Sequence, residues 1–173
     1  MAAIFIDETD FAATTLYSIP NQQESQHFAQ FLETTEREIL ERLLCVDLCN
    51  ELFDAFEASG DPDQKWLDFR DGVDGFEWGG EKYNWNGLVD LLQPAIYAEW
   101  CRFNYDKLTN IGIGINQKTD FNMVEPNQRI VNNHNQFVRR AFVLHQWLEF
   151  SQADFELWEG FCTTPEMQNS LGI

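Results

Sequence analysis

Apolar residues recur at intervals of three and four over long stretches of this chain, and this spacing constrains its fold more than any other feature. The clearest stretch runs from about Glu24 to Cys45, where most intervening positions are Glu or another polar residue. Such a pattern places one apolar stripe along a helix and predicts an amphipathic α-helix. Similar stripes run from Leu88 to about Leu108 and onward from Pro126. We therefore predict a mainly α fold, a helical bundle of about four to five helices.

Turn and capping residues predict where these helices begin and end. Asp47 is a suitable N-cap for a second helix that ends near Ala58, ahead of a Ser-Gly-Asp-Pro sequence. Pro94 removes a backbone donor, so we expect a short lead-in piece followed by a longer helix. Pro126 fits the first position of the last helix. The residues that this last helix is predicted to bury are Ile130, Phe137, Ala141, Leu144 and Leu148.

Two short aromatic runs flank Gly79-Gly80 within residues 72–87. A Gly-Gly pair between two β-prone runs predicts a small hairpin or a tight loop. The aromatic residues are denser than so small a hairpin requires, and two interpretations remain open. They form a satellite core that holds the hairpin on the bundle, or they anchor a subunit interface, because Trp and Tyr bury a large area at low entropic cost. The residues concerned are Phe76, Trp78, Tyr83 and Trp85.

Residues 109–125 interrupt the helical pattern. Gly112 and Gly114 alternate there with isoleucines, and both glycine and alternation favour an extended arm or hairpin over a helix. We expect residues 1–162 to form a single helical domain that includes this arm, and residues 163–173 to form a flexible C-terminal tail. The apolar residues of the predicted arm are Ile111, Ile113, Ile115, Phe121 and Met123.

The chain is strongly acidic, with 29 acidic residues against 11 basic ones and a formal charge of −18. Residues 1–63 hold 14 acidic and 2 basic residues, whereas residues 109–150 hold 3 and 4. So few basic residues argue against nucleic acid as a ligand and against an anionic membrane surface, because both bind basic side chains. The acidic excess forms either a solvated helix face or a surface with a specific neighbour.

Motifs for catalysis, cofactor binding or metal binding do not stand out in this sequence. Residues 112–117 lack the third glycine of a dinucleotide loop, and we find no phosphate loop and no serine nucleophile elbow. Cys45 and Cys49 lie four apart, but no second pair follows at zinc-ligand spacing, so we expect reduced, buried thiols. The N-terminal residues lack a secretory pattern, and no apolar run is long enough for a membrane span. We expect no catalytic site, no metal and no cofactor.

The order of these pieces resembles the head–tail connector, or adaptor, proteins of tailed bacteriophages. The likeness rests on an L-x-x-L-L-x-P opening of one helix, the aromatic-rich run that follows it, and the E-P-x-x-x-x-V start of the last helix. Among the connectors it most resembles are those of phages of gut Bacteroidota, the crAss-like group included, whose chains often end as Gly172-Ile173 does here. The residues that carry the motifs are Leu88, Leu91, Leu92 and Pro94, then Ala98, Arg102 and Phe103, then Glu125, Pro126 and Val131.

This resemblance implies a structural virion subunit in a ring of about twelve copies beneath the portal protein. The ring would be assembled in the host cytoplasm, would extend the DNA channel without binding DNA specifically, and would dock the tail or further connector proteins. The family has no catalytic residues. Its arm, here Ile111–Val124, reaches a neighbouring subunit, and its tail, here Thr163–Ile173, seeks the portal. The tail residues implied in portal docking are Pro165, Met167, Leu171 and Ile173.

Elementary electrostatics is compatible with that role, because negative side chains facing a channel repel phosphates and let DNA slide. A head-to-tail ring contact needs an arm on one subunit and a groove on the next, and an alternating apolar arm suits such a contact. Two other classes remain open. An acidic DNA mimic would inhibit a DNA-binding enzyme through carboxylates spaced like phosphates. An enzyme is disfavoured by the missing motifs.

Overall fold

The computed structural model describes residues 3–11, 25–58, 60–110 and 126–169. Within these residues the chain is mainly α, as predicted, and Pro126 is the first residue of the last helix. None of the described helices is both long enough and apolar enough for a membrane crossing. In chain order the elements are a short 3-10 helix at Glu8–Phe11, α1 (Ser25–Glu57), α2 (Gln64–Asp71), β1 (Val73–Trp78), β2 (Glu81–Trp85), α3 (Gly87–Asn110) and α4 (Pro126–Phe150).

One cluster of buried side chains connects the helices, the hairpin of β1 and β2, and the segments at both ends. Phe5 of the N-terminal segment packs edge-on against Phe53 and Phe56 of α1, with ring centroids 5.3 and 5.2 Å away. Phe155 and Trp158, which follow α4, are also buried. The predicted apolar stripe of α4 is confirmed, since Ile130, Ala141, Leu144 and Leu148 are buried and Phe137 is half-buried against the core.

α1 is interrupted at Cys45, whose backbone has φ 62° and ψ 164°. The break predicted between Cys45 and Asp47 is therefore confirmed. Such a break removes the helical donors for carbonyl groups one turn earlier. The C-terminal segment supplies donors instead: Cys162 N–H donates to Leu43 O at 3.2 Å, and Thr163 N–H donates to Arg42 O at 2.8 Å.

Residues 163–169 continue from this contact and lie against α4. The Asn135 side chain donates to the carbonyl oxygen of Gln168 and accepts from its N–H, both at 2.7 Å. His134 Nε2 lies 2.9 Å from the carbonyl oxygen of Glu166. The prediction of a flexible tail is wrong for residues 163–169, because their backbone groups find partners on α1 and α4.

α3 is a single helix that contains Pro94, so the separate lead-in piece predicted before Pro94 is wrong. Pro94 has no N–H to donate to the carbonyl oxygen of Asp90, one turn earlier. Arg140 of α4 takes that role: its Nη1 donates to Asp90 O, and its Nη2 lies 2.9 Å from Asp90 Oδ1. Arg140 therefore supplies a donor to the carbonyl oxygen of Asp90 and joins α3 to α4. The helix also includes Thr109 and Asn110, the first two residues of the predicted arm.

We expect Arg140→Met to lower the free energy of unfolding by about 2 kcal/mol, because the carbonyl oxygen and Oδ1 of Asp90 lose their donor. In a Pro94→Ala background, residue 94 has an N–H that donates to Asp90 O. The same Arg140 substitution should then cost about 1 kcal/mol less. Urea unfolding of the four chains of this double-mutant cycle measures the difference. A coupling free energy of zero would show that Arg140 does not replace the missing helix donor.

Candidate functional site

An acidic face runs along the second half of α1 and the turn after it. Asp47, Glu51 and Asp54 are exposed, and their spacing of four and three places them on one side of the helix. Asp61 and Asp63, which precede α2, are exposed as well. Within the described residues, no Lys, Arg or His forms an ion pair with any of these five carboxylates.

The basic residues nearest to the acidic face bind other groups. Arg37 Nε pairs with the Glu41 carboxylate at 2.9 Å. Lys65 Nζ donates to the carbonyl oxygen of Asp154 at 2.9 Å. These residues also lie over aromatic rings, which hold the cations away from the carboxylates of the face. The cations and rings are Arg37 over Phe53, Lys65 over Trp66, and Arg70, paired with Asp71, over Phe56.

Part of the acidic face borders an open cleft of about 430 Å³ between the end of α1 and the start of α2. Glu51, Asp54, Asp61 and Asp63 line it together with Lys65 and other neighbours. Among the residues that the structure describes, no three His, Cys, Asp or Glu side chains converge as metal ligands do. The cleft and the face together present negative potential, which repels polyanions.

The predicted hairpin is confirmed, with Trp78 paired to Glu81 across Gly79-Gly80. Trp85 is buried, stacks on Trp147 at 6.0 Å between centroids, and donates its Nε1–H to Phe69 O at 3.0 Å. Phe76 is buried beside Tyr83 at 5.8 Å. Trp78, in contrast, is 41% exposed. The core interpretation therefore fits Phe76 and Trp85, while Trp78 remains available for an interface.

Two exposed phenylalanines on α4 were not among the interface residues predicted from the sequence. Phe142 is 44% exposed and Phe150 is 57% exposed. With Gln146 they occur every four residues, on the side of α4 opposite the buried stripe of Ala141 and Leu144. The spacing of apolar residues in α4 indicates their exposure, since a helical projection separates these phenylalanines from the core positions.

The other predicted interface residues fall into two groups. In the C-terminal segment, Pro165 is half-buried and Met167 is 52% exposed. The remaining positions lie outside the described residues. They are Leu171 and Ile173 of the tail, and Ile111, Ile113, Ile115, Phe121 and Met123 of the arm.

The four cysteines are free and differ in burial. The prediction of buried thiols is confirmed for Cys49, is wrong for Cys162, which is exposed, and fits Cys45 and Cys101 only in part, because both are half-buried. Burial raises the pKa of the Cys49 thiol to about 12. Burial and a hydrogen bond with the Cys162 thiol raise the pKa of Cys45 to about 11. Both groups are therefore protonated thiols near neutral pH, which makes them poor nucleophiles.

Comparisons of this chain with protein-family models, with curated proteins and with solved structures find no match. The function is therefore inferred from the surfaces described above: the acidic face, the outer side of α4, and the exposed edge of the hairpin.

Proposed function

We propose that this protein is a structural subunit of a phage head–tail connector, a ring below the portal protein that extends the DNA channel and docks the tail. The observation that carries the proposal is the acidic face, whose carboxylates have no cationic partner within the described residues. DNA must pass through such a channel without being held by its wall. Carboxylates that face the lumen repel the phosphates and keep DNA free to slide.

The exposed aromatic side chains also support a ring subunit. The acidic face lies on α1 and the start of α2, whereas α4 and the hairpin expose aromatic side chains at Phe142, Phe150 and Trp78. Exposed aromatic side chains are frequent anchors of contacts with other chains. A subunit that lines a channel and contacts its neighbours needs both kinds of surface.

Mixing the full-length protein with the portal protein of its phage tests the proposal directly. We expect negative-stain microscopy to show a ring of about twelve copies on the portal, since head-to-tail contacts close into rings. Absence of a ring would contradict a connector role. If the protein instead bound tightly as a monomer to a DNA-processing enzyme, the acidic face would be a DNA mimic.

Charge reversal on the acidic face tests the role of its carboxylates. In particles built with Asp47→Lys, Glu51→Lys and Asp54→Lys together, we expect an intact ring but DNA ejection slowed about tenfold, because the new cations bind phosphates. A control with Asp74→Lys, Glu77→Lys and Glu156→Lys makes the same change of charge at exposed positions elsewhere. Ejection measured by DNA-dye fluorescence should be near normal in the control. Equal rates in the two variants would mean that the face does not line the channel.

A further inference from the structure

Two cysteine thiols meet where the C-terminal segment crosses the break in α1. Cys45 is the residue at which α1 is interrupted and is half-buried, whereas Cys162 is exposed. Both thiols are free, and a hydrogen bond joins their side chains. A disulfide bond requires two sulfur atoms that can come into contact without a large backbone movement. This pair meets that requirement.

The backbone holds the two thiols close to each other independently of any bond between them. The N–H of Cys162 donates to Leu43 O at 3.2 Å, and the next N–H of the chain donates to Arg42 O at 2.8 Å. The position of Cys162 beside Cys45 is therefore set by the fold. Such positioning raises the rate of a reaction between two groups.

The backbone conformation of Cys45 is a second indication of a role for this residue. Its φ of 62° and ψ of 164° lie in a region that glycine adopts readily and other residues rarely do. Within the described residues, no other residue besides glycine has a positive φ. Residues held in such conformations concentrate at functional sites. The strained residue is the one whose thiol contacts Cys162.

The two thiols differ in their access to an oxidant. Cys162 is exposed, so a dissolved oxidant reaches its sulfur directly, whereas Cys45 is half-buried. Burial raises the pKa of the Cys45 thiol to about 11, and the nearby carboxylates of Glu159 and Asp47 act in the same direction. These carboxylates repel an anionic oxidant such as oxidised glutathione but not hydrogen peroxide, which is uncharged. We therefore expect peroxide to react first at Cys162.

We propose that Cys45 and Cys162 are a redox pair, which hydrogen peroxide converts to a disulfide bond that fastens the C-terminal segment to α1. The Cys162 thiol loses its proton and its sulfur attacks one peroxide oxygen. The O–O bond breaks, and the released hydroxide takes up the proton and leaves as water. The Cys45 sulfur then attacks the sulfur of the Cys162 sulfenic acid. The S–S bond forms as the S–O bond breaks, and the departing hydroxide takes the Cys45 proton and leaves as a second water.

In this reaction the two thiols are oxidised to one disulfide, and one hydrogen peroxide is reduced to water. Cys45 is a poor nucleophile toward dissolved reagents, but its partner sulfur is already in contact with it, and a sulfenic acid condenses readily with a neighbouring thiol. Both cysteines belong to one chain, so the redox pair does not depend on the connector role.

The other two cysteines have different neighbours. Cys49 is buried, and the charged groups near it include Glu41 and Arg37. Cys101 is half-buried, and its thiol bonds the Tyr97 side chain. We therefore expect peroxide to form one intramolecular disulfide bond and to leave these two thiols free.

Peptide mapping of the full-length protein tests the bond. The folded chain is treated with hydrogen peroxide, free thiols are blocked with iodoacetamide, and chains that run as monomers on a non-reducing gel are digested for mass spectrometry. We expect the peptides that contain Cys45 and Cys162 to be joined, and a phosphine reductant to separate them. A disulfide between two chains, a bond to Cys49 or Cys101, or a Cys162 that stops at the sulfenic or sulfinic acid would overturn the proposal.

Urea unfolding measures whether the bond fastens the segment. A cross-link between residues far apart in the chain restricts the unfolded state, so oxidation should raise the urea midpoint by about 1 M. Cys101→Ala, at a cysteine that is also half-buried, is the matched control and should keep this shift. Cys45→Ala should lose the shift, and dimedone should then trap Cys162 as its sulfenic acid. An equal shift in both variants, or no shift in the unsubstituted chain, would refute the redox pair.

Discussion

Replacing either Gly72 or Gly87 by Ala is expected to lower the free energy of unfolding by more than about 3 kcal/mol, because the backbone leaves no room for a Cβ atom at either position. The chain that enters the hairpin crosses the chain that leaves it at these two residues. A Cβ on Gly72 would lie 2.8 Å from the carbonyl carbon of Asn86 and closer still to Trp85 O. A Cβ on Gly87 would lie 2.8 Å from the carbonyl carbon of Asp71 and closer still to Arg70 O.

Steric crowding and backbone strain both contribute to the cost of alanine at these two positions. Gly72 has φ 101° and Gly87 has φ 86°, in the region that side chains with a Cβ rarely adopt. The obstructing atoms are backbone atoms, so relief requires the two chain segments to separate. That movement would pull Trp85 away from Trp147 and from the carbonyl oxygen of Phe69, and the core would lose its contact with the hairpin.

Two other glycines allow the effects to be distinguished by urea unfolding with tryptophan fluorescence. Gly60→Ala meets no atom within 4 Å and should change stability by less than about 0.5 kcal/mol. Gly79→Ala also has open space but a φ of 62°, so it should cost about 1 kcal/mol from backbone strain alone. If Gly72→Ala unfolded at the same urea concentration as Gly79→Ala, the close crossing of the two segments would be refuted.

Glu36→Ala is expected to cost about 3 kcal/mol at neutral pH and to release the N-terminal segment from α1. The Glu36 side chain is 1% exposed, and its carboxylate oxygens lie 3.1 Å from Ile4 N and 3.2 Å from Phe5 N. Alanine would leave these N–H groups without an acceptor. The backbone of Phe5 would then no longer be held on α1, and its ring would leave its contacts with Phe53 and Phe56. Faster hydrogen exchange at residues 4–6 should accompany the loss of stability.

The pH dependence of stability provides a separate readout of Glu36. Burial raises the pKa of the Glu36 carboxyl above its usual value of 4.5, although hydrogen bonds from the N–H groups of Ile4, Phe5 and Ile6 lower it in part. A carboxyl whose pKa is raised by folding contributes most stability below its unfolded-state pKa, and that contribution is lost as the pH rises through the folded-state pKa. Relative to Glu36→Gln, which does not titrate, the native protein should therefore lose stability as the pH rises above the usual carboxyl pKa of 4.5.

Glu38→Ala is the matched control for both experiments. Glu38 lies on the same helix, its side chain is 55% exposed, and it pairs only with Arg42, which is exposed too. Pairs of this kind contribute little, so we expect a change below about 0.5 kcal/mol and no change in hydrogen exchange at residues 4–6. Equal effects of the Glu36 and Glu38 substitutions would mean that Glu36 does not anchor the N-terminal segment.

Local signals in the sequence predicted the elements well. The apolar periodicity of α4 and its start at Pro126, the Gly-Gly turn of the hairpin, and the break in α1 near Cys45 all agree with the structure. Each signal acts within a few residues, through helix periodicity, proline geometry or turn preference. The acidic excess of the first third of the chain also follows from the sequence, because charge is a property of composition.

The contacts that position the candidate surfaces join residues far apart in the chain. Glu36 holds the backbone thirty-one and thirty-two residues earlier, and Asn135 holds Gln168, thirty-three residues later. Pro94 predicted a break that α3 does not have, and Arg140, on another helix, donates to the carbonyl oxygen of Asp90 in place of the missing N–H. No local pattern specifies such partners, because several donors of each kind are available and packing selects among them.

From the sequence alone one can determine that the protein is mainly helical, that the aromatic segment around Gly79-Gly80 forms a hairpin or a tight loop, and that its first third is acidic, since spacing, turn chemistry and composition are local. Only the tertiary structure decides which carboxylates lack a cationic partner and which phenylalanines stay exposed. Whether Asp54 is free or Phe150 is covered depends on where Lys65, Phe76 and the C-terminal segment come to lie, and that depends on the packing of the whole core.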